Sequence, residues 1–415
     1  NLRAFLAGRA LFIGGTKASQ KFRLSYFNCS AVEPNKLETF KETMYLLSVG
    51  AGVGYRITYD VVEKLPTFHQ GKELDLIRPR FLVPANFRQE DTTIEERDDE
   101  IVMTIGDSKE AWSDSVYYYL KFMAGKLYPD KKRMKVLFNH IRPAGSKLKT
   151  FGGFASGHEP LLRAFEKMHE VITDDYKDSE GNVVTTKPVK GRLRPIHVMH
   201  IMNSIAEAIV VGGVRRSAMI ALFSPEDEEM MNAKANFTIE QYKDPKMSHY
   251  FLSNNTAIFS EKPSKETIKK FLEKIHYYGE PGFANEQQML KRHPRGRVSN
   301  PCFEIILPDR GVCNLVTINL TGYIKNGKLD REKLTKELSV LTRSAYRVTI
   351  PELELPEWDE VQKNDRLLGV SPTSWMDMVE ELDLTMEEEA EIATFMYDVV
   401  RTTADNYADL LGLNR

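Results

Sequence analysis

An α/β architecture with a parallel sheet is what this sequence predicts, and three observations predict it. Runs of apolar residues at helical spacing alternate along the chain with short strand-like runs, the pattern of strand–helix–strand units. The length, 415 residues, permits two or three domains, or one α/β barrel that absorbs most of the chain. The composition, 42% apolar and 28% charged, is ordinary for a water-soluble folded protein.

The elements follow in order. Leu37, Phe40, Met44 and Leu47 fall at helical intervals over 37–49, and Gly50 is placed to stop that helix. Leu161, Leu162, Phe165 and Met168 repeat the pattern over 160–172. Pro195 opens a third helix, since the first turn tolerates a residue without an N–H. Its apolar positions Val198, Ile201, Ile205, Ala208 and Ile209 run into Gly212-Gly213. Further helices are predicted at 264–277, 330–345 and 385–411, and strands at 24–32, 53–59, 135–141, 217–223, 254–259 and 303–307.

Two stretches break the rhythm. Residues 174–194 are polar and carry Gly and Pro, as a surface hairpin or loop would. Residues 61–134 are irregular, with the acidic run Glu95-Glu96-Arg97-Asp98-Asp99-Glu100 and an aromatic helix from Trp112 to Tyr128. They read as an insertion in a main fold made of 1–60 and 135–415. The chain starts without a methionine and stops at Arg415 just after a helical run, so it reads as a piece of a longer protein.

The bulk properties exclude several classes. A formal net charge of -2 makes no electrostatic case for nucleic acid or an anionic membrane surface. No window approaches 18 unbroken apolar residues, and Arg3 and Arg9 interrupt any signal-peptide core. Three cysteines in so long a chain argue for a reducing compartment, the cytoplasm. His158, His197, His200 and His249 form no metal-ligand spacing with those cysteines, and no metal is predicted.

The chemistry concentrates in Ser299-Asn300-Pro301-Cys302-Phe303-Glu304-Ile305, followed by Val312-Cys313-Asn314-Leu315. An amide, a sulfur and a carboxylate stand on alternate residues, so an extended segment would present all three on one face. The third cysteine lies in Phe27-Asn28-Cys29-Ser30. Three thiols divide into a pair that can oxidise together and one left over. Taken singly, a cysteine is more often core than catalytic. Gly50, Gly52 and Gly54 suit either a helix end entering a strand or a close backbone approach to substrate.

Together these residues resemble ribonucleotide reductase over nearly the whole chain. The motifs that carry the resemblance are Phe27-Asn28-Cys29, Gly50-Ala51-Gly52-Val53-Gly54 and Arg142-Pro143-Ala144-Gly145 leading to Phe151-Gly152-Gly153-Phe154-Ala155-Ser156-Gly157. Gly212-Gly213-Val214-Arg215-Arg216-Ser217-Ala218, Asn254-Asn255, Asn300-x-Cys302-x-Glu304 and Cys313-Asn314-Leu315 complete them. Within the family the chain looks most like the monomeric, adenosylcobalamin-dependent (class II) ribonucleoside-triphosphate reductases. Asp107-Ser108-Lys109-Glu110-Ala111-Trp112, Ser248 to Asn255, Gly279-Glu280-Pro281-Gly282 and the 61–134 insertion support that subtype.

The resemblance implies a ten-stranded α/β barrel, two antiparallel halves of five parallel strands, with Cys302 on a central finger loop and the last strands absent from this chain. It implies an oxidoreductase that makes deoxyribonucleotides for DNA synthesis. Cys302 would carry a thiyl radical, Glu304 act as general base and Asn300 orient the ribose. Cys29 and Cys313 would form the redox pair, with Asn28, Ser30, Gly52 and Gly54 at the substrate. Gly213, Val214, Arg215, Arg216 and Ser217 would form the loop that senses effector. Adenosylcobalamin is the implied cofactor. The implied partners are a ribonucleoside triphosphate, a deoxynucleoside triphosphate effector and a thioredoxin-like dithiol, acting on a monomer.

Rival readings are a class I catalytic subunit that takes its radical from a metal-containing partner, and a nucleotide-binding regulatory protein without turnover. Retention of Cys29, Cys302 and Glu304 speaks against the second. A thiol hydrolase lacks a histidine partner motif for Cys302.

Overall fold

The structure is a computed structural model that describes residues 3–148, 153–210, 218–235 and 237–415. Two compact units divide the chain: Ser30–Asp309 forms the larger, and Asn1–Cys29 with Arg310–Arg415 the smaller.

The larger unit is built on the strands Cys29–Val32, Gly52–Arg56, Met219–Phe223, Ser253–Phe259 and Gly282–Asn285, side by side in that order. Met219–Phe223 runs parallel to both its neighbours, and Ser253–Phe259 runs parallel to Gly282–Asn285. Parallel neighbours require crossover connections. Helix Lys265–Tyr278 spans the last gap, and Pro195–Val210 precedes the central strand. All five residues of Met219–Phe223 are buried, as in a parallel strand covered on both faces. The predicted apolar stripes do the covering. Leu161, Leu162, Phe165 and Met168 of helix Glu159–Thr173 are buried, as are Val198, Ile201 and Ile205 of Pro195–Val210, and the two helices pack together.

A second, four-stranded sheet comes wholly from residues 73–137, in the order Glu73–Ile77, Arg133–Leu137, Glu100–Thr104, Thr93–Glu96. Its helix, Lys109–Met123, is capped by Ser108, whose hydroxyl accepts from the Ala111 N–H. Tyr119 and Phe122 of that helix are core residues, and Gly125, at φ +66°, turns the chain away.

In the smaller unit, Val312–Asn319 pairs antiparallel with Ala4–Leu6 and parallel with Leu368–Thr373. Helices Arg331–Val348 and Met386–Leu411 pack together, around a core that includes Val316, Ile318, Leu334, Leu338, Met378 and Ile392. Thr385 and Glu388 form a reciprocal capping box that starts the longer helix.

The predicted helices all form, with Gly50 (φ +82°) ending Glu38–Ser48. The strand predicted at 254–259 forms as Ser253–Phe259, whereas several others are shorter than predicted. Residues 24–26 belong to a 3₁₀ turn, so that strand begins at Cys29. The run 53–59 stops at Arg56 because Tyr59–Val62 coils into a helical turn. The run 135–141 is strand only over Arg133–Leu137. Short apolar runs carry too little periodicity to settle their own ends. Residues 174–194 do contain a hairpin, Tyr176–Lys177 with Val183–Thr185. Among the described residues, no helix is long and apolar enough to cross a membrane.

Candidate active site

Asn300, Cys302 and Glu304 do not lie on an extended segment. They form the turn of a hairpin in the larger unit, where Val298–Ser299 pairs antiparallel with Ile306–Leu307. Asn300 organises the turn three ways. Its N–H donates to the Ile305 carbonyl at 3.1 Å, and its carbonyl accepts from the Phe303 N–H at 3.0 Å. Its side-chain oxygen accepts from the Ile305 N–H at 3.0 Å. Pro301 has no N–H with which to continue a ladder, and Phe303 adopts φ +62°, so the predicted strand over 303–307 shrinks to Ile306–Leu307. The one-face arrangement of an extended segment therefore does not apply here. The turn sets Cys302 and Glu304 exposed to solvent while Asn300 is fully buried.

That burial has a chemical consequence. The Asn300 side-chain nitrogen and the Ser299 hydroxyl are both buried without a hydrogen-bond partner in the protein. Orphaned buried donors are costly and uncommon. Asn300 therefore spends its oxygen on the fold, while its NH₂ is left unpaired within the protein.

The hairpin lies directly over the strand Gly52–Arg56. A Cβ added at Gly54 would stand 1.7 Å from the Ser299 carbonyl oxygen, and one at Gly52 would stand 2.9 Å from Pro301 Cγ. The close backbone approach at these two glycines is made by the chain's own hairpin. Ser30 is likewise engaged within the fold, its hydroxyl donating to the Gly52 carbonyl at 2.8 Å.

The other two cysteines belong to the smaller unit. The Asn28 N–H donates to the Cys313 carbonyl at 3.0 Å, which brings the residue before Cys29 alongside Cys313. Cys313 is buried and Cys29 half-buried. The Asn28 side-chain oxygen is buried without a hydrogen-bond partner. Gly213, Val214, Arg215, Arg216 and Ser217, the expected effector loop, lie outside the described residues.

Two further motifs find their use in bracing. Glu280 accepts from Lys234 at 2.7 Å and from the Asn255 N–H at 3.1 Å. Lys234 also donates to the Ser253 carbonyl. Burial pulls the Lys234 amine below its usual range, against the pull of the Glu280 carboxylate. The sequence reading missed Ser299 and the charged residues at the hairpin's base. Arg297 and Asp309, opposite charges flanking the motif, were the available signal.

The family model for the ribonucleotide reductase barrel domain matches residues 239–404, and the model for the insertion domain of B12-dependent ribonucleotide reductase matches residues 85–172. An adenosylcobalamin-dependent ribonucleoside-triphosphate reductase of Lactobacillus acidophilus is 25% identical over 425 residues, covering 91% of this chain and 53% of that protein. Its counterpart in Lactobacillus leichmannii is 26% identical over 420 residues, covering 91% of this chain and 52% of that protein. The chain thus spans about half the length of these curated relatives. A crystal structure of a B12-dependent (class II) ribonucleotide reductase superposes with a TM-score of 0.80 at 21% identity, covering 99% of this chain and 62% of that one. The shared fold, the two family models and the relatives agree in what this chain is similar to: B12-dependent ribonucleotide reductases, through their barrel domain and their insertion domain.

Proposed function

We propose that this chain carries the reacting groups of an adenosylcobalamin-dependent reductase that converts ribonucleoside triphosphates to 2′-deoxyribonucleotides. The observation that carries the reading is the Asn300–Cys302–Glu304 turn, with an exposed sulfur and carboxylate beside a buried, unused amide NH₂. The sulfur at the turn fits the cofactor's chemistry, because a reagent that removes a hydrogen atom must reach it from outside. Cys302 and the half-buried Phe303 are the residues that would face the cofactor. Adenosylcobalamin, when bound, supplies the homolytic chemistry that turns the Cys302 thiol into a thiyl radical.

The chain's own residues do the rest. The Cys302 radical takes the 3′-hydrogen of the ribose, and Glu304 accepts the 3′-hydroxyl proton as general base. The Asn300 NH₂ donates to a ribose hydroxyl and holds it for that transfer. The weakened C2′–O bond breaks, and a thiol of the Cys29/Cys313 pair protonates the leaving hydroxyl as water. An ordinary thiol pKa near ~8.5 keeps that proton in place at neutral pH. The pair delivers two electrons and one further proton to the sugar and becomes a disulfide. Glu304 returns its proton to the 3′-oxygen and Cys302 its hydrogen to C3′, so one ribonucleotide and two thiols give one deoxyribonucleotide, water and a disulfide. An external dithiol of the thioredoxin type would then reset the pair. A deoxynucleoside triphosphate effector acting through 213–217, beside an insertion at 61–134 in a monomer, completes the proposal.

The test, made in the full-length protein, is exchange of the adenosyl 5′-hydrogens with solvent. Cys302→Ser should abolish it, whereas Cys29→Ser and Cys313→Ser should keep some exchange and lose multiple turnover. Equal loss in all three variants would refute the division of roles. Activity that required a metal-containing partner protein would move the reading to class I, a choice the match to the B12-dependent insertion domain disfavours.

A further inference from the structure

The hairpin that bears Cys302 is only two residue pairs long, and a two-stranded hairpin has little stability of its own. Its position must be imposed from outside. At the tip the contacts with Gly52 and Gly54 do this. At the base, charge does it.

Arg297 is the residue before Val298. Its Nε pairs with Glu33 Oε1 at 3.1 Å and its Nη2 with Asp60 Oδ2 at 2.7 Å. Its carbonyl accepts from Arg56 Nη1 at 3.1 Å, and the same nitrogen meets Glu286 Oε1 at 2.5 Å. Arg56 Nε donates to the Thr58 hydroxyl at 3.0 Å, which donates to Asp60 Oδ1 at 2.6 Å. On the hairpin's other foot, Asp309 Oδ1 accepts from the Glu33 N–H at 2.8 Å. Glu33 therefore holds both feet, one with its side chain and one with its backbone.

The anchors come from the ends of three strands of one sheet. Glu33 follows Cys29–Val32, Arg56 closes Gly52–Arg56, and Glu286 follows Gly282–Asn285. The side chains of Arg56 and Glu33 are 7% and 9% exposed, so solvent screens them little. Arg297 and Asp60 are partly exposed, at 39% and 52%, and Glu33 Oε1 meets Arg297 as an ion pair without a hydrogen bond. Such pairs add little net stability, and their value here is in restricting where the hairpin's base can stand. Guanidinium groups are suited to this, with donors in a rigid planar fork.

We infer that Arg56, Arg297, Glu33 and Asp60 form a positioning clamp that sets how far the hairpin stands from Gly52–Arg56, and so where the Cys302 sulfur and the Glu304 carboxylate present themselves. The inference rests on the reading of Cys302 and Glu304 as the reacting groups. These four are positioning residues, acting through the hairpin and not on substrate.

The experiment compares Arg297→Ala, Arg297→Lys and Arg56→Met with the unaltered protein. Three quantities are read: hydrogen–deuterium exchange of segment 298–307 against segment 253–259, the rate of Cys302 alkylation by iodoacetamide, and kcat and KM for a ribonucleoside triphosphate. Arg297→Ala should speed exchange in 298–307 by ~10-fold or more while 253–259 keeps its protection. It should change the alkylation rate and lower kcat by ~10–100-fold, as displacement of a reacting group does, with KM within ~2-fold. Arg297→Lys should fall between. If Arg56→Met fails to fold, the Arg297 variants decide alone, since that side chain is partly exposed. Unchanged exchange in 298–307 in folded Arg297→Ala overturns the clamp, and so does loss of protection spread equally over 253–259. Turnover is read in the full-length protein; its absence there would sink the catalytic reading alone, and exchange with alkylation would still judge the clamp.

Discussion

Replacing Gly54 by alanine is the sharpest perturbation the structure offers. The added methyl would meet the Ser299 carbonyl oxygen at 1.7 Å, its carbon at 2.9 Å and Ile220 Cγ2 at 3.2 Å. Real Cβ contacts essentially never fall below 3.0 Å, so the hairpin must lift by more than ~1 Å for the methyl to fit. The strand cannot retreat instead, because Gly54 is in register with Ile220 of the fully buried neighbour Met219–Phe223. Overpacking of this kind costs ~1–3 kcal/mol. A shift of ~1 Å in a reacting group costs ~100-fold in rate. Gly54→Ala should therefore lower the urea midpoint and cut turnover out of proportion to the fraction unfolded. Gly71→Ala is the control, since a Cβ there meets nothing within 4 Å. Denaturant titration, Cys302 alkylation and steady-state kinetics on both variants make the comparison. A folded Gly54→Ala with wild-type midpoint, alkylation rate and kcat would refute the close approach of the hairpin and the reasoning built on it.

Two other predictions concern the larger unit. His197 is fully buried, and burial chiefly holds its imidazole down at about 4, with Arg194 adding to the effect, against an ordinary value of 6.5. The unfolded chain takes up a proton between those values and the native state does not, so stability should fall as pH drops from 6.5 towards 4, by up to ~3 kcal/mol. His197→Gln should flatten that part of the stability–pH curve, and a curve unchanged in slope would count against the assignment. Lys167, also buried, donates to Glu207 at 2.7 Å and to the Pro245 carbonyl at 3.1 Å. Lys167→Met should leave a shielded carboxylate unmatched and destabilise by ~3 kcal/mol. Adding Glu207→Gln should recover part of the loss, measurable as a double-mutant cycle by chemical denaturation.

The helices could be read from the sequence because their information is local. Leu161, Leu162, Phe165 and Met168 repeat with the helical period and end buried on one face whatever else the chain does. The candidate site residues were readable for a different reason, since Asn300, Cys302 and Glu304 together form a motif that carries the resemblance, although none of them does so alone. Their geometry was not readable. Alternate spacing would put all three on one face only in an extended segment, and the chain instead makes a turn because Pro301, a left-handed Phe303 and the Asn300 hydrogen bonds favour one. What the glycines serve was also hidden, because the atoms that crowd Gly52 and Gly54 come from the distant segment 299–301. The same holds for the base of the hairpin, where Glu33 and Asp309 meet although they are 276 positions apart. The sequence by itself determined the period of each helix and the chemical kinds available to the site. Only the tertiary structure decided which donors were spent on the fold, which were left without a partner in the protein, and where the Cys302 sulfur stands. Those are properties of contacts between segments remote in the chain, and no local pattern of residues encodes them.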